Sequence, residues 1–350
     1  MKTIVLCGGG TAGHIMPHIA LLPKLKKHFD KIYYIGTNGM EKDIAKDANI
    51  PFYEITTPKF DRRVSFKTLA IPFKLLKSIK SAKKILKQLK PDVIFSKGGY
   101  VSIPVAIAGK KLKIPVVSHE SDLSMGLANK VIYHYAKVMC VAFDETAKDK
   151  KKYVVTGIPI REELKFGDKN KVLTLFEHND TLPTVMVVGG SLGAKAINEV
   201  IQKNLDKLTK KYNIIHIVGK SGEEKKSKNY LAVKFVNNIG DYFAACDMCV
   251  SRSGANAIFE LMALKKPMLL IPLPKGASRG DQVENARLLE KKGLAHVLLQ
   301  ENLTYETLAS GIDNVFKNKE QLIKNLSNHN TSNANEKIVD ILIKLANPMS

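Results

Sequence analysis

The sequence predicts an α/β protein made of two doubly wound, Rossmann-like parallel-sheet domains, and three observations carry that prediction. Short, continuous apolar runs alternate with helix-length segments along the chain, the pattern of strands buried on both faces of a parallel sheet. Two of those runs open alike, as TIVLCGGGTAGH at residues 3–14 and TVMVVGGSLGAKAIN at residues 184–198, each a strand leading through a glycine-rich turn into a helix. A length of 350 residues exceeds one ordinary core and suits two.

In order, the first half supplies the strand-like runs TIVLC, KIYYIG, DVIFS, IPVVSHE and KVMCVAF, and the second half TVMVVGG, IIHIVG, VKFV, DMCVS and PMLLIP. Ile15 to Leu25, with Pro17 near its start, reads as the helix after the first glycine turn. The boundary falls in GIPIREELKFGDKNK, giving domains at 1–160 and 161–328. NANEKIVDILIKLA, after the polar run SNHNTSN, reads as a terminal helix within 329–350 that returns to the first domain.

Composition narrows the function classes. MKTIVL is too short for the apolar region of a signal peptide, and no run of about 18 apolar residues occurs, so synthesis and residence in the cytoplasm are expected. Four cysteines at 7, 140, 246 and 249 make a disulfide framework unsuited to this chain. Cys246 and Cys249 form a single CxxC without further ligands, so buried thiols are favoured over zinc or redox chemistry.

The formal charge of +22 comes largely from scattered Lys. One segment stands apart: from Lys59 to Lys90, Asp61 is the only acid. Leu75, Leu76, Ile79, Ala82, Leu86 and Leu89 recur there at helical spacing, beside a stripe of Lys77, Lys80, Lys84 and Lys87. Two readings stand, a core helix with a wet basic face and a surface resting on an anionic bilayer. Nucleic acid is disfavoured, because no aromatic-interleaved basic motif accompanies the charge.

The glycine turns carry the chemistry. Glycines let the backbone approach a phosphate, and free N–H groups at a helix N-terminus favour an anion. Thr11, Ala12, Gly13 and His14 lie on the first turn, and Gly190, Ser191 and Gly193 on the second. Neither turn has P-loop spacing or a clean dinucleotide fingerprint. Gly98, Gly99 and Tyr100 occupy another strand end. In the next, SHESDLSMGLANK holds His119, Glu120, Asp122 and Asn129, and its His-Glu pair is either catalytic or a buried pair shaping the loop. Ser253, Gly254 and Ala255 open a later helix on which Glu260 lies, able to accept two sugar hydroxyls, and Asp281 and Gln282 begin the helix after that.

Taken together, GGGTAGHIMP, SKGGYVSIP, HESDLSMGLAN, GIPIRE, GGSLGAKAIN, SRSGANAIFE and GDQVENA resemble the undecaprenyldiphospho-muramoylpentapeptide N-acetylglucosaminyltransferases of bacterial peptidoglycan synthesis, in the family's order and over nearly the whole chain. The resemblance implies a GT-B fold, with UDP-N-acetylglucosamine bound mainly by the second domain and an undecaprenyl-linked acceptor by the first. It further implies that Arg161 and Ser191 contact the nucleotide and its diphosphate, that the backbone at Val236 reads uracil, and that Ala255 to Glu260 hold the ribose. Gln282 would touch the donor sugar, and Thr11 to Gly13 match the first-domain loop that approaches the donor and the acceptor diphosphate. Where the family commonly has TGGH and HEQN, this chain has TAGH and HESD, so Asp122 brings a charge where an Asn would contact the donor.

An inverting transfer needs a base for the acceptor hydroxyl, in-line approach, and stabilisation of the leaving diphosphate. His14 is the first candidate base, since an ordinary imidazole pKa of about 6.5 suits neutral pH, and Glu120 the second; otherwise His14 caps the turn or binds phosphate as a cation. With no DxD motif, neither metal nor cofactor is expected, and Arg161 with the helix N-termini would balance the charge of UDP. A lipid acceptor places the protein at the cytoplasmic face of the membrane, peripherally, on the anionic inner leaflet. A UDP-N-acetylglucosamine 2-epimerase, another lipid-acceptor transferase of the same fold, and a non-catalytic nucleotide-binding module are the rivals.

Overall fold

A computed structural model describes residues 1–57, 71–147, 151–190, 193–220, 222–276, 279–329 and 333–347. The chain divides into two compact units, Met1–Arg161 with Asn333–Ser350, and Glu162–Ser332.

The first unit is built on strands β1 (Thr3–Cys7), β2 (Lys31–Gly36), β3 (Phe52–Glu54), β4 (Val93–Ser96), β5 (Val116–Glu120), β6 (Val138–Val141) and β7 (Tyr153–Val155). They pair in the order β3-β2-β1-β4-β5-β6-β7, every pair parallel. Both faces are covered, as continuous apolar strands require. Ile4 and Leu6 point to a core shared with helix Met16–His28 and with Ile338, Val339 and Leu342 of the terminal helix Ala334–Ala346. Val5 and Cys7 point the other way, toward helices Ile71–Leu89 and Ser102–Lys111. Asn335 fastens the terminal helix, accepting from the Ile160 N–H at 3.0 Å and donating to the Ile160 carbonyl at 2.8 Å.

The second unit carries β8 (Thr184–Val188), β9 (Asn213–Ile217), β10 (Lys225–Ser227), β11 (Tyr230–Val233), β12 (Met248–Ser251), β13 (Met268–Leu270) and β14 (His296–Val297), in the order β10-β11-β9-β8-β12-β13-β14. Here the sheet departs from the all-parallel expectation at one edge, where β10 and β11 form an antiparallel hairpin. Lys225 and Lys226 on that exposed edge strand discourage further pairing. The expected strand VKFV is also displaced: β11 ends at Val233, because Tyr230, Leu231 and Ala232 fill the core while Phe235 is 70% exposed.

In each sheet the connection reverses direction at one strand. β1 lies between β2 and β4, and β8 between β9 and β12, so the carboxyl ends of β1/β4 and β8/β12 are the positions where such sheets bind ligands.

Helix Ile71–Leu89 realises the apolar stripe in part. Ile79, Ala82 and Leu86 are buried, but Leu76 is exposed, together with Phe73 and the lysines at 77, 80, 84 and 87. The rest of the basic segment, residues 59–70, lies outside the described residues. All four cysteines are buried free thiols, with Cys246 Sγ 3.6 Å from Cys249 Sγ.

Candidate active site

At the switch point of the first unit, three turns converge. The first runs from Gly8 through a single 3-10 turn, Ala12–His14, into the helix starting at Met16. His14 Nδ1 lies 3.0 Å from the Gly9 carbonyl and 3.1 Å from Thr11 Oγ1. A carbonyl only accepts, so Nδ1 carries the proton of the neutral ring and Nε2 is its basic nitrogen. The second turn, Gly98–Gly99, slides beneath it. A Cβ at Gly99 would stand 2.7 Å from the Gly9 carbonyl and 3.3 Å from His14 Nδ1, and the residue has φ +78°; no other amino acid fits there. Tyr100 lies against Gly10, whose added Cβ would come within 3.1 Å of the ring.

The third turn follows β5, and Glu120 is its anchor. One carboxylate oxygen accepts from the N–H groups of Ser121 at 2.9 Å and Asp122 at 3.1 Å. The other accepts from the Gly126 N–H at 2.9 Å and from Asn129 Nδ2 at 2.9 Å. A buried carboxylate with four donors shapes a loop. His119 is buried and neutral: burial, and the neighbouring Lys97, push its pKa well below the usual imidazole value. Its Nε2–H donates to the Gly157 carbonyl at 2.7 Å, so the His-Glu pair is a hydrogen-bonded support.

Sequence reasoning missed two groups here. Lys97, inside the quoted SKGGY, is 1% exposed, and its Nζ lies 2.7 Å from His119 Nδ1 and 2.6 Å from Ser121 Oγ. Burial pulls its pKa down to about 8, against the opposing pull of Glu120 and Asp122. His18 is buried too, with Nδ1 3.2 Å from the Tyr34 hydroxyl, which donates to the Gly8 carbonyl at 2.9 Å. The only available signal was a charged or polar residue beside an apolar stretch.

In the second unit, Gly189 and Gly190 end β8, and Gly193 and Ala194 lead into helix Lys195–Lys203; Ser191 lies outside the described residues. Gly193 has φ +81°, and an added Cβ would meet the Val218 carbonyl at 2.4 Å. Asn198 Nδ2 holds that carbonyl at 2.9 Å and is itself oriented by His216 at 3.0 Å. At the neighbouring end of β12, Gly254 is the N-cap of helix Ala255–Ala263 and, as a glycine, brings no side chain to cap it. Ser253 Oγ donates to the Gln282 carbonyl at 2.9 Å, and Gln282 Oε1 accepts from the Leu273 N–H at 3.0 Å, joining this turn to helix Asp281–Lys291. Asp281 stands 3.9 Å from Arg279 Nε. Glu260 is half-buried on the second turn of its helix, and Val236 lies half-buried in the loop after β11. Arg161 follows Ile160, the residue Asn335 clamps.

Two doubly wound units with glycine turns at both switch points define a class. Residues 4–141 match the glycosyltransferase family 28 N-terminal domain and residues 184–341 the glycosyltransferase family 28 C-terminal domain. The chain is 45% identical over 350 residues to the UDP-N-acetylglucosamine--N-acetylmuramyl-(pentapeptide) pyrophosphoryl-undecaprenol N-acetylglucosamine transferase of Clostridium tetani, covering 98% of each. The protein of that name from Clostridium novyi is 45% identical, over 97% of this chain and 98% of its own. The chain belongs to the family of these N-acetylglucosamine transferases. In structure it resembles Acinetobacter baumannii MurG, with a TM-score of 0.79 and 29% identity over 98% of this chain and 100% of that one. A putative UDP-N-acetylglucosamine 2-epimerase from Listeria monocytogenes, at 12% identity and a TM-score of 0.65 over 98% of this chain and 96% of that one, shares the fold alone.

Proposed function

We propose that the chain transfers N-acetylglucosamine, with inversion, from UDP-N-acetylglucosamine to the 4-hydroxyl of the muramoyl sugar on an undecaprenyl-diphosphate-linked muramoylpentapeptide. The observation that carries this reading is the setting of His14, whose Nδ1–H is tied to the Gly9 carbonyl, which makes Nε2 the basic nitrogen of the neutral ring, the atom a general base would use on the acceptor hydroxyl. The turns at Thr11 to Gly13 and at Gly98–Gly99 receive the acceptor diphosphate. Asn129 and Glu120 keep the turn bearing Asp122 beside them.

The second unit takes the donor. Gly190, Ser191, Gly193 and the helix opening at Ser253 to Ala255 receive the UDP diphosphate, Val236 the uracil, Glu260 the ribose hydroxyls, and Asp281 with Gln282 the sugar. As the glycosidic bond to phosphate breaks, the developing charge on UDP is met by Arg161 and by the helix N-termini. The bond from the 4-oxygen forms on the opposite face of the anomeric carbon, and the hydroxyl proton passes to His14 Nε2.

Among the described residues no helix is long and apolar enough to cross a membrane. Phe73 and Leu76, 77% and 54% exposed, project among Lys74, Lys77 and Lys80, a composition suited to peripheral docking on an anionic leaflet, where the lipid acceptor resides.

The test is transfer of radiolabelled sugar to detergent-solubilised acceptor with EDTA present. Lipid-dependent incorporation that survives EDTA is the expected result. Release of the 2-epimer without incorporation would replace this reading with the epimerase one.

A further inference from the structure

Three glycines of the first unit close on one side chain. A Cβ added at Gly9 would stand 2.5 Å from Glu41 Oε1, one at Gly39 2.8 Å from Glu41 Oε2, and one at Gly36 2.8 Å from Glu41 Cγ. Glu41 is 1% exposed and lies on the first turn of helix Met40–Asp47, after β2, where a helix N-terminus favours a carboxylate. The Thr37 N–H donates to Oε1 at 3.0 Å and the Thr37 hydroxyl donates to the same oxygen at 2.5 Å, so that oxygen is fixed from two directions. Burying a carboxylate is unfavourable, and the transfer as described makes no use of this one.

What Glu41 touches is the residue that orients the base. Gly9 lies between the Glu41 carboxylate and Val101, whose Cγ2 would be 3.0 Å from the same added Cβ. The Gly9 carbonyl is the partner of His14 Nδ1 at 3.0 Å, and a Cβ at Gly99 would stand 2.7 Å from that carbonyl. The turn after β2, the segment Gly99 to Val101 and the turn bearing His14 therefore meet at Gly9. We propose that Glu41 is a positioning residue for His14: latched to Thr37, its carboxylate is the stop against which Gly9 rests, and it thereby fixes the carbonyl that sets the tautomer and orientation of the imidazole. The proposal rests on the base role given to His14. A shorter side chain at 41 leaves Gly9 free to shift, and the ring is released while the second unit's turns are untouched.

The experiment measures kcat, both KM values and thermal stability for Glu41→Ala, Glu41→Gln and Thr37→Val in the full-length chain, each in the wild-type and in the His14→Ala background. Glu41→Ala is expected to lower kcat about 30-fold in the wild-type background, with the donor KM within about twofold. In the His14→Ala background the same substitution should change kcat by less than about twofold, because no ring remains to be oriented. Glu41→Gln keeps the length of the side chain and an oxygen for the two Thr37 donors, and should restore kcat to within about threefold of wild type. Equal kcat losses in the two backgrounds would overturn the proposal, as would a Glu41→Gln variant no better than Glu41→Ala. Should Glu41→Ala fail to fold, Thr37→Val decides, since it removes one donor and leaves the carboxylate. A loss of about threefold seen only with His14 present supports the proposal, whereas a loss in both backgrounds, or in neither, contradicts it. An unimpaired His14→Ala single variant, or absence of lipid-dependent transfer by the wild-type chain, would instead mark failure of the functional reading itself.

Discussion

Replacing His14 by alanine is expected to lower kcat by about two to four orders of magnitude, the range a positioned general base contributes. The proposed donor site lies on the other unit's turns, so the affinity for UDP should stay within about twofold of wild type. Local structure should persist, because His14 is half-buried and the Gly9 carbonyl and Thr11 hydroxyl beside its ring belong to the same turn, while the Gly99 turn beneath it needs space more than support. Steady-state kinetics with UDP titration by calorimetry separates the cases: equal losses in kcat and in UDP affinity would mean that His14 organises the fold, and not the proton transfer.

Gly193→Ala carries the second large effect. Its Cβ would stand 2.4 Å from the Val218 carbonyl, on a backbone with φ +81°. That carbonyl cannot move aside cheaply, since Asn198 Nδ2 holds it and His216, buried and kept neutral with a pKa near 4, holds Asn198. The glycine turn must move instead, and UDP affinity is expected to fall about 100-fold. Gly190→Ala supplies the comparison: φ is +90° there too, but among the described residues an added Cβ meets nothing within 4 Å. It should weaken UDP by about tenfold or less, from backbone strain alone. Equal losses from both variants would mean that strain, and not the Val218 contact, sets the turn.

Much of this arrangement was legible in the amino acids. The central strands of both sheets announce themselves because parallel strands buried on two faces must be continuously apolar, as TIVLC and TVMVV are. The glycine turns announce themselves because a positive φ and a crowding carbonyl exclude every other residue. Edge strands were not legible: Phe52–Glu54, Tyr153–Val155 and Lys225–Ser227 span only three residues each, too short for any periodicity. YLAVKFV contains one strand, but its apolar content does not say where pairing stops; only the burial of Tyr230 and exposure of Phe235 settle that. Glu120 reads as a candidate base in one dimension because a carboxylate beside a histidine is ambiguous until its donors are counted. Lys97 is the most instructive omission. A lysine at a strand end is ordinarily solvated, and nothing local signals that β5 will deliver His119 and Ser121 to its ammonium.

The central claim is a single in-line displacement assisted by His14, and the anomeric configuration of the product tests it most directly. UDP-N-acetylglucosamine carries its sugar in the α configuration, so one displacement must deliver a β-linked product. Proton NMR of the disaccharide released from the lipid product should show the large anomeric coupling of a β-linked N-acetylglucosamine. The small coupling of a retained α linkage would contradict the account, because retention cannot arise from one attack by a hydroxyl that His14 deprotonates.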